Sequence, residues 1–256
     1  MLLVALGVLA SLALHAEAED RRVRADRPAW ITDGEGAFIE RMKCPDPTPS
    51  EQTRTVFCRT RVEADGSVAM RNADCFSQDA TPEAFVKATR RALDGSSFAP
   101  ARSNGEAVAV DVAFRVVFPP GQEGCHPIAL PNFGLQTDDY GATYFAPQRI
   151  FGEDDVQPLV PKDRTDPTFR TFWISEGVKL VLSVQVDDEG VATDGRVDTE
   201  RGYTAAQQKR MIRTLESARY VTGFHEGQPA PMRHYEFVYH GHRHERGWGW
   251  RWGLIK

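Results

Sequence analysis

The chain has no pair of cysteines with two residues between them, the spacing that builds zinc ribbons and thioredoxin-type redox sites; Cys44, Cys58, Cys75 and Cys125 lie far from one another. Positive charge is not in surplus either, and a net charge of −5 with a pI near 5.8 gives no general reason to bind nucleic acid or an anionic membrane surface. No Gly-x-Ser-x-Gly elbow, His-Glu-x-x-His helix, P-loop or Rossmann glycine pattern occurs. The neighbouring acids Asp138-Asp139 and Asp154-Asp155 read as solvated loop charge rather than an acid–base pair. Neither a catalytic residue nor a cofactor is expected on these grounds. Hydrophobic runs of the ~20 residues that cross a bilayer are missing as well. The run from Leu2 to Leu14 ends in Ala16-Glu17-Ala18, the small-x-small pattern that signal peptidases accept. Residues 1–18 are therefore read as a signal peptide, and the mature chain as periplasmic or secreted, with no membrane span.

What is present is an ordinary globular composition, 41% hydrophobic and 26% charged, which argues against disorder throughout. Residues 55–118 and 178–239 share an order of signals. Each opens with a strand and a turn, at Ala64-Asp65-Gly66 and at Asp188-Glu189-Gly190, followed by a second strand. Val178, Leu180, Leu182, Val184 and Val186 have the period of a strand with one buried face. Aligning the two turn glycines sets Cys58 over Leu182 and Val62 over Val186, so Cys58 is expected in the core. A helical stretch follows in each, with Thr81 and Thr204 as expected N-caps. Phe85, Ala88, Ala92 and Leu93 form the apolar stripe of the first helix, and Met211, Ile212 and Leu215 that of the second.

Leu93 and Leu215 each precede an aromatic, Phe98 or Tyr220, by five residues, and each aromatic precedes a turn glycine, Gly105 or Gly227, by seven. The closing strand of the first copy puts Val108, Val110, Val112, Phe114, Val116 and Phe118 on one face; Tyr235, Phe237 and Tyr239 are read as the equivalent run. The expected fold class is α+β: two small modules, each a three-stranded antiparallel sheet with a helix packed on one face. The expected divisions are an N-terminal segment (19–53), the first module (54–119), a Pro/Gly-rich connection (120–172), the second module (173–242) and a His/Trp-rich tail (243–256). A structureless connection that long is unusual in a compact protein, so it is expected to pack on the modules through Phe133, Tyr140, Tyr144, Phe145 and Phe151.

Val62-Glu63-Ala64-Asp65-Gly66, Phe98-Ala99-Pro100-Ala101 and Asn104-Gly105 before Phe118 occur in the order seen in the TonB C-terminal domain, which the first copy resembles. Pro28-Ala29-Trp30 is similar to a Pro-x-Trp lead-in of such proteins. The second copy departs from the pattern, with Thr222-Gly223 where Pro-Ala is expected. The resemblance implies a non-catalytic protein that binds a partner in the cell envelope at a sheet edge, an extended segment of the partner adding to the third strand. The candidate edge is Val108, Val110, Asp111, Val112, Ala113, Phe114 and Arg115. The connection, the second module or an identical chain in a homodimer are alternative occupants of that edge. A TonB-type energy transducer is a second reading, although the membrane anchor and long Pro-rich spacer implied for it have no convincing counterpart here.

In an oxidising compartment four cysteines suit two disulfides, with four buried thiols as the alternative. Cys58 and Cys75 lie on opposite arms of one hairpin, as in TonB-like members with a cysteine on each strand, and Cys44 and Cys125 bracket the same module. The expected pairs are Cys58–Cys75, which needs a bulge or a diagonal approach because the two are out of register about the turn, and Cys44–Cys125. A third reading is a periplasmic metal-binding protein. His240, His242 and His244 alternate, with His234 on the same strand face, and two or three imidazoles there suit copper, zinc or nickel; a polar strand end is the alternative.

Overall fold

The computed structural model describes residues 26–32, 37–45, 52–68, 73–77, 81–120, 126–151, 179–199 and 203–239. The expected signal peptide and Cys125, and the histidines of the tail, lie outside the described residues. The fold is α+β, built, among the described residues, from small antiparallel sheets and three helices. None of the described helices is long and apolar enough to cross a membrane.

β1 (Trp30–Ile31) comes first, and β2 (Arg54–Val62), β3 (Asp74–Phe76) and α1 (Glu83–Leu93) follow. The chain then forms β4 (Phe98–Ala99), the hairpin of β5 (Ala101–Ser103) and β6 (Glu106–Val108), and β7 (Val110–Phe118). Alternation decides which side of the first sheet is covered. Val56, Cys58, Thr60 and Val62 on β2, and Val110, Val112, Phe114, Val116 and Phe118 on β7, are buried on one face. Val86, Ala92 and Leu93 of α1 join the same core. Each large aliphatic or aromatic side chain buried in this way contributes about 1.5–3 kcal/mol. The helix starts one residue later than its sequence suggests: its N-cap is Pro82, with no side-chain bond, while Thr81 is buried just outside.

The sheet has four strands rather than the expected three, in the order β3-β2-β7-β8, because β8 (Ile128–Leu130) from the connection pairs with Arg115–Val117. α2 (Thr137–Tyr140) and β9 (Gln148–Arg149) also belong to the connection. Phe133 packs edge-on against Phe57, and Phe145 against Trp30.

The second sheet, in the order β11-β10-β15, comprises β10 (Lys179–Val186), β11 (Ala192–Thr199) and β15 (Met232–Tyr239). Between them come α3 (Ala205–Glu216), β12 (Tyr220–Val221) and the hairpin of β13 (Gly223–His225) and β14 (Gln228–Ala230). Leu182, Val184 and Val186 of β10 form a core with Met211, Leu215 and Tyr220. Thr204 caps α3 as expected, in a capping box: its side chain accepts from Gln207 N, while the Gln207 side chain accepts from Thr204 N. The face of β15 differs from the expectation. Met232, His234 and Glu236, not the run containing Tyr235, lie opposite Val186, Val184 and Leu182. A count of apolar residues misplaces this face because two of its inward positions carry ionisable groups.

Cys58 and Cys75 are disulfide-bonded as expected, with Cα atoms 4.1 Å apart. The two cysteines lie directly opposite each other in the ladder although the arms are unequal: from the Val62–Val68 bridge to the Cys58–Cys75 pair the chain advances four residues on one arm (58 to 62) and seven on the other (68 to 75). Cys44 is also disulfide-bonded.

One contact is made twice. Gly66 (φ +83°) lies beneath Phe98, whose N–H donates to the Gly66 carbonyl at 3.0 Å, and Gly190 (φ +79°) lies beneath Tyr220, whose N–H donates to the Gly190 carbonyl at 3.2 Å. A Cβ on either glycine would fall 2.1 Å from the carbonyl oxygen of that aromatic residue. Gly66→Ala and Gly190→Ala should each lower folding stability, measured by urea denaturation, by more than the ~1–2 kcal/mol of a left-handed non-glycine residue. Gly105→Ala provides the control, since it has φ +83° but nothing within 4 Å of its Cβ position. Equal losses at all three positions would show that the close approach is unimportant.

Candidate functional site

Arg59 lies between Cys58 and Thr60, two residues that face the first core, so the pleat sends its side chain out of the opposite face of β2. Asp111 leaves β7 on that same face, from the position opposite Arg61. Glu236 extends from β15 on the face it shares with Leu182. The three meet where the two sheets adjoin. Arg59 Nη1 donates to Glu236 Oε1, and Arg59 Nη2 donates to Glu236 Oε2 at 2.8 Å and to Asp111 Oδ2 at 2.5 Å. Arg149 Nη2 reaches the same Asp111 oxygen at 3.4 Å. His234 flanks the cluster, with Nδ1 2.9 Å from the Pro147 carbonyl oxygen and Nε2 3.4 Å from Glu236 Oε2.

Arg59, Asp111 and Glu236 are all buried, with side chains 4%, 8% and 1% exposed. Burial by itself would raise the Glu236 carboxyl. The Arg59 guanidinium, the His234 contact and the Arg149 charge outweigh it and hold the carboxyl well below the usual carboxylate range. For Arg59, burial opposes the charge, but Asp111 and Glu236 more than offset it, and the guanidinium stays ionised. Both Glu236 oxygens accept from guanidinium, so this carboxylate is not poised to take a proton from a substrate.

The cavity beside the cluster has a volume of about 30 Å3, with Arg59, Asp111, Gln136, Tyr144, His234 and Tyr235 in its wall. That is room for a water molecule or two, far below the several hundred Å3 of a small-molecule site. No group of three or more His, Cys, Asp or Glu suited to a metal ion occurs among the described residues. His234 is turned inward to Pro147 and Glu236, and His240, His242 and His244 lie outside the described residues.

The candidate edge on β7 is an inner strand. β2 pairs with it along its whole length, β8 covers Arg115 to Val117, Ile150 bridges Val110, and Phe151 N donates to the Ala109 carbonyl at 2.9 Å. The connection thus occupies the edge expected for a partner, one of the alternatives considered from the sequence. Val110, Val112 and Phe114 point into the core, Val108 is half-buried on β6, Asp111 joins the charge cluster, and Ala113 lines the small cavity. Arg115 Nη1 donates to Asn132 Oδ1 at 2.9 Å.

In the second sheet β15 and β11 are the two end strands, and among the described residues β15 has β10 as its only strand neighbour. Gln136 lies against its outer edge: the carboxamide accepts from Arg233 N at 3.1 Å and donates to the Arg233 carbonyl at 2.9 Å. A carboxamide bound in this way reproduces the paired contacts of a peptide group on a neighbouring strand. Main-chain directions alternate along an antiparallel strand, so Tyr235 and Phe237 also turn N–H and C=O outward. Sequence reasoning missed this edge, because the place of a strand in its sheet is set by which strands pair with it and not by its own alternation.

No protein-family model matches the chain, and neither the curated proteins nor the solved structures contain a match.

Proposed function

We propose that this chain is an exported, non-enzymatic interaction protein of the TonB C-terminal kind, and that it binds an envelope protein by adding one of the partner's extended segments to the outer edge of β15. The observation that carries the reading is the Gln136 carboxamide seated on Arg233, which marks that edge as able to accept a peptide-like partner. The duplicated contact of Gly66 with Phe98 and of Gly190 with Tyr220 supports a pair of related modules. Disulfide bonding at Cys58, Cys75 and Cys44 supports an oxidising compartment. The neutralised charge cluster and the water-sized cavity support a binding role over a catalytic one.

Crosslinking capture from the native envelope tests the reading with two variants at one position. Tyr235→Pro deletes an outward N–H without removing a ladder bond to β10, and should reduce capture about tenfold or more. Tyr235→Ala keeps that N–H and should capture far better than the proline variant. A folded Tyr235→Pro protein that captures the same partner as well as the parent does would exclude strand addition on β15.

A further inference from the structure

Building on that reading, we infer that Gln136 is a displaceable cap on β15: it holds the place of the first peptide group of an added strand, and so fixes where a partner can begin to pair. The segment that carries it is firmly built. Asn132, fully buried, donates from Nδ2 to the Tyr144 carbonyl at 2.7 Å and to the Ala142 carbonyl at 3.0 Å, and accepts from Gly134 N at 2.8 Å. Tyr144 Oη accepts from Gln136 N at 3.1 Å, which fixes the backbone from which the carboxamide projects. Tyr140 Oη donates to the Pro231 carbonyl at 2.9 Å and ties α2 beside the start of β15.

A second glutamine of the connection makes the same kind of contact elsewhere. Gln148 accepts from Ala29 N at 2.7 Å and donates to the Ala29 carbonyl at 2.9 Å, next to β1. Paired carboxamide contacts to main chain are therefore a repeated device here, and at Ala29 they satisfy polar groups that would otherwise be buried without partners. At β15 the consequence is directional. Among the described residues no strand other than β10 pairs with β15, so an added strand would pair from Tyr235 towards Tyr239. To extend to Arg233 it must replace two hydrogen bonds that already exist, and these contribute nothing net to its binding.

The probe is a fluorescein-labelled synthetic peptide with the sequence of residues 232–239, which can pair antiparallel with its own counterpart strand. Its binding to the full chain is followed by anisotropy, and amide hydrogen exchange is followed in parallel. In the parent, the Arg233 amide should exchange slowly. In Gln136→Ala it should exchange fast when the protein is free and slowly when the peptide is bound, and the peptide should bind on the order of tenfold more tightly. Tyr140→Phe removes the neighbouring tie alone and should tighten binding less. If Gln136→Ala loses the protection of the β10 amides, Gln136→Glu takes its place with the same expected direction, since it preserves side-chain volume and lacks the donor to the Arg233 carbonyl. Equal binding to the parent and the Gln136 variant would overturn the cap while leaving strand addition intact. Binding to neither would remove both the cap and the β15 edge.

Discussion

Arg59→Met is expected to lower folding stability by about 3–5 kcal/mol, the range seen when one partner of a buried ion pair is removed. The variant leaves Asp111 and Glu236 close together and both buried, with Arg149 still 3.4 Å from Asp111. The size of the loss reports uncompensated charge rather than the net worth of the cluster. Replacing Arg59, Asp111 and Glu236 together with Met, Leu and Leu should therefore recover most of the stability. Urea denaturation of the single and triple variants checks this directly, and a loss below ~1 kcal/mol in Arg59→Met would show that water reaches the cluster.

The same cluster gives a pH dependence. In the parent, the folded-state Glu236 carboxyl is depressed, so its stabilisation is fully present above the unfolded value of about 4.3 and is lost as pH falls below that towards the folded value. In Arg59→Met, the main opposing charge is gone and burial dominates, which raises the carboxyl. Its contribution then changes sign: the variant should lose stability as pH rises through the carboxylate range towards neutrality. The expected signature is a urea midpoint that in the parent holds level above about pH 4.3 and falls on acidification below it, while in Arg59→Met it falls as pH rises above that value.

Removing the Cys58–Cys75 bond by the double substitution Cys58→Ala and Cys75→Ala should lower stability by about 3 kcal/mol. In the chain-entropy account that is the effect of releasing a loop of this size, the two cysteines being 17 residues apart. Alanine is preferred to serine because Cys58 is fully buried, and a hydroxyl there would need a partner. The parent in reducing agent should lose at least as much as the double variant in oxidising buffer, because Cys44 is disulfide-bonded as well. A shift below about 1 kcal/mol in the double variant would mean that the strand ladder beside Val56 and Phe114 holds this hairpin without the crosslink.

The reading of the α+β class rested on local periodicities, and those survive in the structure. The alternation from Val110 to Phe118 marked a buried strand face, and Leu182, Val184 and Val186 marked another. Thr204 announced a helix start because its cap is made with Gln207, three residues away. The turn glycines were legible too, and the Cys58–Cys75 pair followed from two strands joined by one hairpin. β8 and β9 were not legible. Strands of three and two residues have no period of their own, and they exist because β7 and β12 present ladder partners to them.

By itself the sequence determined the elements whose stabilising contacts lie within a hairpin or a helical turn, together with the side of each long strand on which apolar residues accumulate. Only the tertiary structure decided which strand pairs with the connection, because β8 takes its place beside β7 while, among the described residues, β15 has β10 as its only strand neighbour. It also decided the fate of the charges. Arg59 and Glu236 stand 177 residues apart in the chain, and each was legible alone as an ordinary polar residue in a strand. Pairing between groups that distant depends on how the two sheets dock, a geometry that no local spacing of residues encodes.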